Sequence, residues 1–286
     1  MADARCVDCF LKTYHRLFQK YGVAEMQQQK FLEYFHRVIV NQNFENSPII
    51  QRDLNIVFCD IIEIADPFAE EKEESNRVAL GLYKVWKERV IDADNPFGMA
   101  LRLAIAGNIM DYGASNSFDI NGTVERVLNA DFAIDHSAQL KERIAKAQRI
   151  LYLGDNAGEI VFDRLFIETF MHNDVTYAVK GGPILNDVTM KDALDVGMDN
   201  VADLISNGFD APTTHLEMCS REFQEVFNAT DLIISKGQGN LEGLIGRNDP
   251  RIFFLLMVKC DVIAEFLKVD KGSFIVYNQI EQKRKH

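Results

Sequence analysis

The chain has 286 residues, of which 47% are hydrophobic and 26% charged, a balance typical of a soluble globular protein with room for one large domain or two smaller ones. A formal net charge of -12 argues against a general nucleic-acid binder, because phosphate backbones are held by clustered Lys and Arg. The longest apolar runs, such as IFFLLMV at 252–258, fall far short of the roughly 20 residues a membrane helix needs, and MADARCVDCF lacks a signal-peptide pattern. No membrane or nucleic-acid partner is expected, and the expected location is the cytoplasm.

In chain order, helical patterns come first. Val7, Phe10, Leu11, Tyr14, Leu17, Phe18 and Tyr21 recur at spacings of three and four, which makes one apolar stripe on a helix that Gly22 ends. FLEYFHRVIVNQ, IIQRDLNIVFCDIIEIA and a segment after the charged run EEKEESNR continue the helical region, and NPFGMALRLAIAGNIMDYG supplies a further helix opened by Asn95-Pro96. From residue 148 the pattern changes to short apolar strands alternating with helices: RILYL, VTYAV, VADLIS, DLIIS, RIFFLLMV and SFIVY. That alternation predicts an α/β fold, a mostly parallel sheet with helices on both faces. The expected division is a helical N-terminal domain over 1–95 and an α/β domain over 96–286, with the spatial order of strands not readable.

Open α/β sheets bind ligands at the carboxyl ends of their strands. The segments expected there are GDNAGE, KGGPILNDVT, SNGFD, SKGQGN and KCD, so nearly all the polar, glycine-rich chemistry falls at one edge of the sheet. Asp155 and Asn156 raise two readings. They are favoured helix-cap residues, or they hold a metal or phosphate at a strand-to-helix turn.

Asp155, Asn156 and Asp187 offer carboxylate and amide oxygens, and no His or Cys lies in the same loops. Hard oxygen donors suit Mg²⁺ or Mn²⁺, which keep several waters and bridge to a substrate phosphate. Lys180 and Lys236 stand beside glycines, including Gly181, Gly237 and Gly239, whose exposed backbone N–H groups suit a phosphate. A methyltransferase would end its second strand in an acidic residue, and here that strand ends in Lys180-Gly181-Gly182. A phosphatase with an aspartyl nucleophile needs a second carboxylate two residues after the first, and Ala157 occupies that place. GxGxxG and Walker-type loops are absent.

GDNAGEIVFD, KGGPILNDVT, SKGQGNLEGL, AGNIMDYG and the N-terminal CVDC, in order over most of the chain, resemble the metal-dependent damage-control phosphatases. That family is also known as domain of unknown function 89 and as acidic-residue-methyltransferase-like proteins. The KGQGN form with CxxC is similar to its mainly prokaryotic branch. The resemblance implies a helical region packed on a Rossmann-like α/β domain and a divalent metal (Mn, Mg, Co or Ni) held by Asp155, Asn156 and Asp187. It also implies that Asp210 positions the attacking water or accepts its proton, that Lys236 stabilises charge on the phosphoryl oxygens, and that the loop from Gly237 through Gly239 and Asn240 holds phosphate. Glu159, in the first helical turn, either caps the helix or supports the metal. Asn108 and Asp111, three apart on one helix face, either reach into the site or form a polar helix end.

The five cysteines are an odd, sparse set that fits reduced thiols, with Cys6 and Cys9 expected as buried structural cysteines and Cys59, Cys219 and Cys260 as core thiols. The expected function is a metal-dependent phosphatase acting on phosphate monoesters of small metabolites, such as sugar phosphates or damaged phosphometabolites. The alternatives are a methyltransferase using S-adenosylmethionine on protein carboxylates, and a non-catalytic binder of phosphorylated metabolites. Neither the physiological substrate nor the oligomeric state is readable.

Overall fold

The computed structural model describes Asp3, residues 5–42 and 47–107, Leu128 and residues 130–284. The apolar stripe beginning at Val7 forms α1 (Arg5–Tyr21), which stops where Gly22 takes φ 57°. Helices α2 (Glu25–Gln42) and α3 (Ser47–Ile62) pack on it. Their shared core is aromatic: Phe10, Tyr14 and Phe18 of α1 meet Phe31 and Phe35 of α2 and Phe58 of α3. Each such ring, fully buried, contributes about 1.5–3 kcal/mol, and this cluster is separate from the two that cover the sheet.

The charged run EEKEESNR, read as preceding a helix, lies inside one. Helix α4 (Ala69–Ile91) starts just before it and places Glu70 and Glu71 in the first turn, where the helix dipole favours carboxylates. Its Ala79, Trp86 and Val90 are buried with the sheet core and not with α1–α3. Helix α5 (Pro96–Ala106) opens as its sequence predicts, with the Asn95 side chain accepting from the Gly98 N–H at 3.1 Å.

Among the described residues the sheet has seven strands: β1 (Phe132–Asp135), β2 (Ile150–Leu153), β3 (Val175–Val179), β4 (Asp203–Ser206), β5 (Leu232–Lys236), β6 (Ile252–Met257) and β7 (Phe274–Tyr277). Six match the apolar runs. Strand β1 was not expected, because FAID buries only Ile134 and carries no clear periodicity. The order is β1-β7-β6-β5-β2-β3-β4, parallel throughout except for the β6–β7 pair.

Helices α6 (Ser137–Lys146), α7 (Glu159–Phe170) and α8 (Met190–Asp195) join α4 and α5 on one face, where Tyr152, Tyr177, Ile234 and Leu255 point. Helices α9 (Arg221–Ala229), α10 (Gln238–Leu244) and α11 (Asp261–Leu267) cover the other face over Leu153, Ile233 and Phe254. The short α12 (Gln279–Arg284) follows β7.

The chain leaves β2 for β3 and β4 on one side, then returns to β5 on the other. The crevice outside the carboxyl ends of β2 and β5 is therefore the topological switch point, where such sheets bind ligands. Leu153 pairs with Ala178 of β3 and Ser235 of β5, so the loops that follow all three strands emerge level with one another. Among the described residues, no helix is long and apolar enough to cross a membrane.

Candidate active site

Neither Asp155 nor Asn156 caps α7 with its side chain. The N-cap is Gly158, at φ 76° with no side-chain cap, and the Gly158 N–H instead donates to Asn76 Oδ1 of α4 at 2.7 Å. The loop is fixed by its backbone. Ala157 N donates to Asn186 O at 2.9 Å and Val188 N to Asp155 O at 2.8 Å, which makes Asn156 and Asp187 an isolated antiparallel bridge. Residues opposed in this way, between flanking hydrogen bonds, bring their side chains close together on one side. Two residues 31 positions apart are thus set beside each other by main-chain bonds alone. Asp155, Asn156 and Asp187 are all buried. Asn156 Nδ2 donates to Asp155 Oδ2 at 2.7 Å and to Glu159 Oε2 at 3.3 Å, which leaves its carbonyl oxygen for a further ligand.

Gly237, expected to expose an N–H to phosphate, serves first to let Asp155 in. It sits at φ 77°, and an ideal Cβ there would lie 2.1 Å from the Asp155 Cγ and Oδ2. Gly181 and Gly239 likewise permit close chain crossings, since a Cβ would lie 2.2 Å from Phe209 N at the first and 1.9 Å from Pro212 O at the second. Close packing of four loops explains these glycines without a ligand.

The two lysines separate in role. Lys180 follows β3, with its ammonium 3.5 Å from Asp187 Oδ2 and 2.9 Å from Asn240 Oδ1. Asn240, read as a phosphate ligand, is fully engaged. Its Nδ2 donates to Gly154 O (3.1 Å) and Lys236 O (2.8 Å), and its Oδ1 accepts from Lys180 and from Thr214 Oγ1 (2.9 Å). An amide has two donors and two acceptor positions, so Asn240 orients Lys180 and has nothing left for substrate.

Lys236 corrects the expectation more sharply. It is fully buried on the α5–α7 side, and its ammonium donates to Ala104 O (2.8 Å), Glu159 Oε1 (2.5 Å) and Asp163 Oδ1. Three donors meet three acceptors, so no N–H remains for a phosphoryl oxygen. Burial opposes the charge on Lys236, but the Asp163 and Glu159 carboxylates outweigh it and hold the ammonium above the ordinary lysine range. Burial, with the neighbouring Asp163 charge, pushes Glu159 up to about 7 against the pull of Lys236. Tyr152 and Tyr177 each donate a hydroxyl hydrogen bond to Asp163, at 2.7 and 3.0 Å. Glu159 therefore links this interior ion cluster to Asn156, and it does not cap the helix.

Asp210, read as the residue that handles the attacking water, lies at the rim. One of its oxygens accepts from Arg52 Nε of α3 at 2.5 Å, and the Arg52 guanidinium stands 5.2 Å from the Phe209 ring centroid. Asn108 and Asp111 lie outside the described residues. Cys9 is exposed and Cys6 half-buried, which corrects the expectation of buried structural thiols; Cys219 is buried, and Cys59 and Cys260 are half-buried.

Arg52, Asn76 and Asp163 were missed by sequence reasoning. Asp163 carried a signal, since it stands four residues after Glu159 amid Ile160, Phe162 and Phe166 of an otherwise apolar helix face. Arg52 and Asn76 carried none, being brought in from helices 158 and 82 residues distant from their partners.

Among the described residues, no group of three or more His, Cys, Asp and Glu side chains is arranged to hold a metal. The candidate set has two carboxylates and one amide. That set fits a hard divalent cation that takes one or two carboxylates and fills its remaining positions with water and phosphate. The bridge that aligns Asn156 with Asp187 and the glycine cradle around the Asp155 carboxylate are the features of the structure that fit such an ion.

Comparison with known proteins identifies the family. The model of the damage-control phosphatase ARMT1-like domain matches residues 2–275. The chain belongs to this family. It is 41% identical over 214 residues to the damage-control phosphatase PH1575 of Pyrococcus horikoshii, covering 73% of this chain and 74% of that one. A damage-control phosphatase of Archaeoglobus fulgidus is 30% identical over 247 residues, covering 83% and 85%. The crystal structure of the Pyrococcus protein, described as a DUF89 family protein, superposes with a TM-score of 0.87 at 32% identity over 97% of this chain and 98% of that one. The helical region and the α/β sheet of this damage-control phosphatase-like chain are therefore both parts of the family fold.

Proposed function

We propose that this protein is a metal-dependent phosphatase that hydrolyses phosphate monoesters of small metabolites, such as sugar phosphates or damaged phosphometabolites. The observation that carries the reading is the buried, oxygen-only set Asp155, Asn156 and Asp187, with the Lys180 ammonium 3.5 Å from Asp187, at the switch point of the sheet. The names of its relatives support the phosphatase class.

Bound by Asp155, Asn156 and Asp187, a divalent cation would supply positive charge to the phosphoryl oxygens and lower the pKa of a coordinated water. The chain's own residues orient and enclose. Lys180, held by Asn240, presents an ammonium whose charge offsets what builds on the phosphoryl oxygens. Glu159, tied to Lys236, holds the Asn156 amide so that its oxygen faces away from the Glu159 carboxylate. Lys236 and Asp163 act from behind the site, fixing α7, and do not touch substrate.

Phosphate release from p-nitrophenyl phosphate by chelator-treated protein, with Mn²⁺, Mg²⁺, Co²⁺ or Ni²⁺ added back, tests the reading. Activity that returns with metal and is lost in Asp155→Asn supports it. Full activity in metal-free protein refutes the metal, and methyl transfer from S-adenosylmethionine without phosphate release refutes the phosphatase.

A further inference from the structure

Helix α3 belongs to the helical region, yet one of its faces is turned to the site loops. Residues 49–52 begin this face. Ile49 packs against the core on the α9–α11 side of the sheet, and Arg52 reaches the loop after β4. The Arg52 side chain is specifically seated: Nε is taken by Asp210 Oδ1, the guanidinium lies over Phe209, and Nη1 stands 3.5 Å from Asp53. The Nη2 edge has no protein hydrogen-bond partner among the described residues. A guanidinium carries five N–H donors in a rigid fork, so fixing Nε and one face aims the remaining edge. The loop that holds it is continuous with the site, because Gly181 N donates to Phe209 O at 2.9 Å and Gly181 follows Lys180.

A second observation lies one turn further along the same helix. Asn55 is 5% exposed, and its Oδ1 is buried with no hydrogen-bond partner among the described residues. At about 100° per residue, Asn55 projects roughly 60° from Arg52 around α3. A buried amide oxygen without a donor costs about 1–3 kcal/mol, and buried polar groups are otherwise almost always paired. An unpaired acceptor one turn from an aimed, partly unpaired guanidinium on the same helix is what a site for an oxygen-rich ligand requires. The ligand supplies a hydroxyl donor to Asn55 and an anionic or lone-pair-bearing oxygen to Arg52.

We infer that Arg52 and Asn55 of α3 recognise the part of the substrate that is not transferred, and that they select phosphate esters whose leaving group carries hydroxyl or anionic oxygens over esters of apolar alcohols and phenols. The inference rests on the phosphatase reading for the position of the ester but not for the binding contact. Arg52 is a specificity residue here, with Asp210 as the group that seats it. The helical region, which offers no metal-binding set among its described residues, then contributes the discrimination while the sheet contributes the chemistry.

The test compares full-length wild type with Arg52→Gln, Arg52→Lys and Asn55→Leu on two substrates: p-nitrophenyl phosphate, and the best substrate from a panel of hexose, pentose and glycerol phosphates. Binding of the same polyol phosphate and of inorganic phosphate is measured by calorimetry. Loss of one charged hydrogen bond is expected to raise KM for the polyol phosphate by about 10- to 100-fold in Arg52→Gln, with partial recovery in Arg52→Lys. The kcat/KM for p-nitrophenyl phosphate is expected to change by less than about threefold. Equal losses on both substrates would overturn the inference, because Arg52 would then act on the phosphate or on the fold. Unchanged values on both would overturn it as well. If wild type releases no phosphate from any ester yet binds polyol phosphate in an Arg52-dependent way, the recognition inference stands and the phosphatase reading falls. If it neither hydrolyses nor binds any of them, both fall.

Discussion

Gly237→Ala probes the tightest point of the site. The residue sits at φ 77°, ψ 162°, a region nearly closed to residues with a Cβ and costing about 1–3 kcal/mol when one is forced there. For a chain of this size, 1 kcal/mol lowers Tm by about 2–4 °C, so the backbone term alone predicts a loss of about 2–12 °C. The functional effect is larger, because the new methyl would lie 2.1 Å from the Asp155 carboxylate. No contact of that length survives, and the carboxylate, the softer of the two, must rotate out of its place beside Asn156. The expected result is a folded protein whose divalent-metal affinity, read by calorimetry, falls at least about 10- to 100-fold, with phosphate release falling in parallel. Gly246→Ala is the control: nothing lies within 4 Å of its would-be Cβ and its φ is not positive, so Tm, metal affinity and rate should stay at wild-type values. Wild-type metal affinity and turnover in folded Gly237→Ala would refute the argument that the glycine exists to admit Asp155.

Asp155→Asn and Asp187→Asn should each lower turnover by orders of magnitude while moving Tm by only a few degrees, because neither side chain caps α7; wild-type metal stoichiometry in either variant, measured by elemental analysis, would contradict the ligand set. Lys236→Met should cost about 3–5 kcal/mol in urea unfolding, since it strands Glu159 and Asp163 as uncompensated buried groups, whereas Lys180→Met should lose far more activity than stability; the reverse ranking would return Lys236 to the phosphate. Asn76→Ala removes the acceptor for Gly158 N–H and should cost about 1–3 kcal/mol, with faster hydrogen exchange at Gly158 and weaker metal binding; unchanged exchange there would show that α4 does not fix the loop.

The α/β class was legible because six of the seven described strands are short apolar runs, four of them followed directly by glycine and polar residues, and a period-2 or buried-strand pattern survives in any tertiary setting. Strand β1 was not legible, since a four-residue edge strand with one buried side chain has no period to read. Asp155, Asn156 and Asp187 stood out as oxygen donors in strand-end loops, but the bridge that joins them is made of main-chain bonds, which no side-chain pattern encodes. Lys236 shows the opposite failure. Its place beside glycines at a strand end suited phosphate, but position 236 falls on the same sheet face as Leu232 and Ile234, so the pleat turns it into the interior toward Asp163. Alternation along β5 contains that answer once the strand is known to end at Lys236.

The helical region is tied to the site at two depths, and the two ties differ in kind. Asn76 accepts from Gly158 N and donates to Asp192 Oδ1 at 3.4 Å, while Lys72 bonds Asp192 Oδ2 at 3.1 Å. Asp192 in turn accepts from Thr189 N and Oγ1 at the start of α8, two residues beyond Asp187. One helix thus fastens both loops of the metal set through buried, mutually satisfied groups, an arrangement suited to rigidity. Arg52 meets Asp210 at a partly exposed rim, with one edge of its fork unpaired. A satisfied buried network resists change and an unsaturated rim cation invites a ligand, so on the proposed function α4 would hold the geometry that performs the reaction and α3 would meet the molecule on which it is performed.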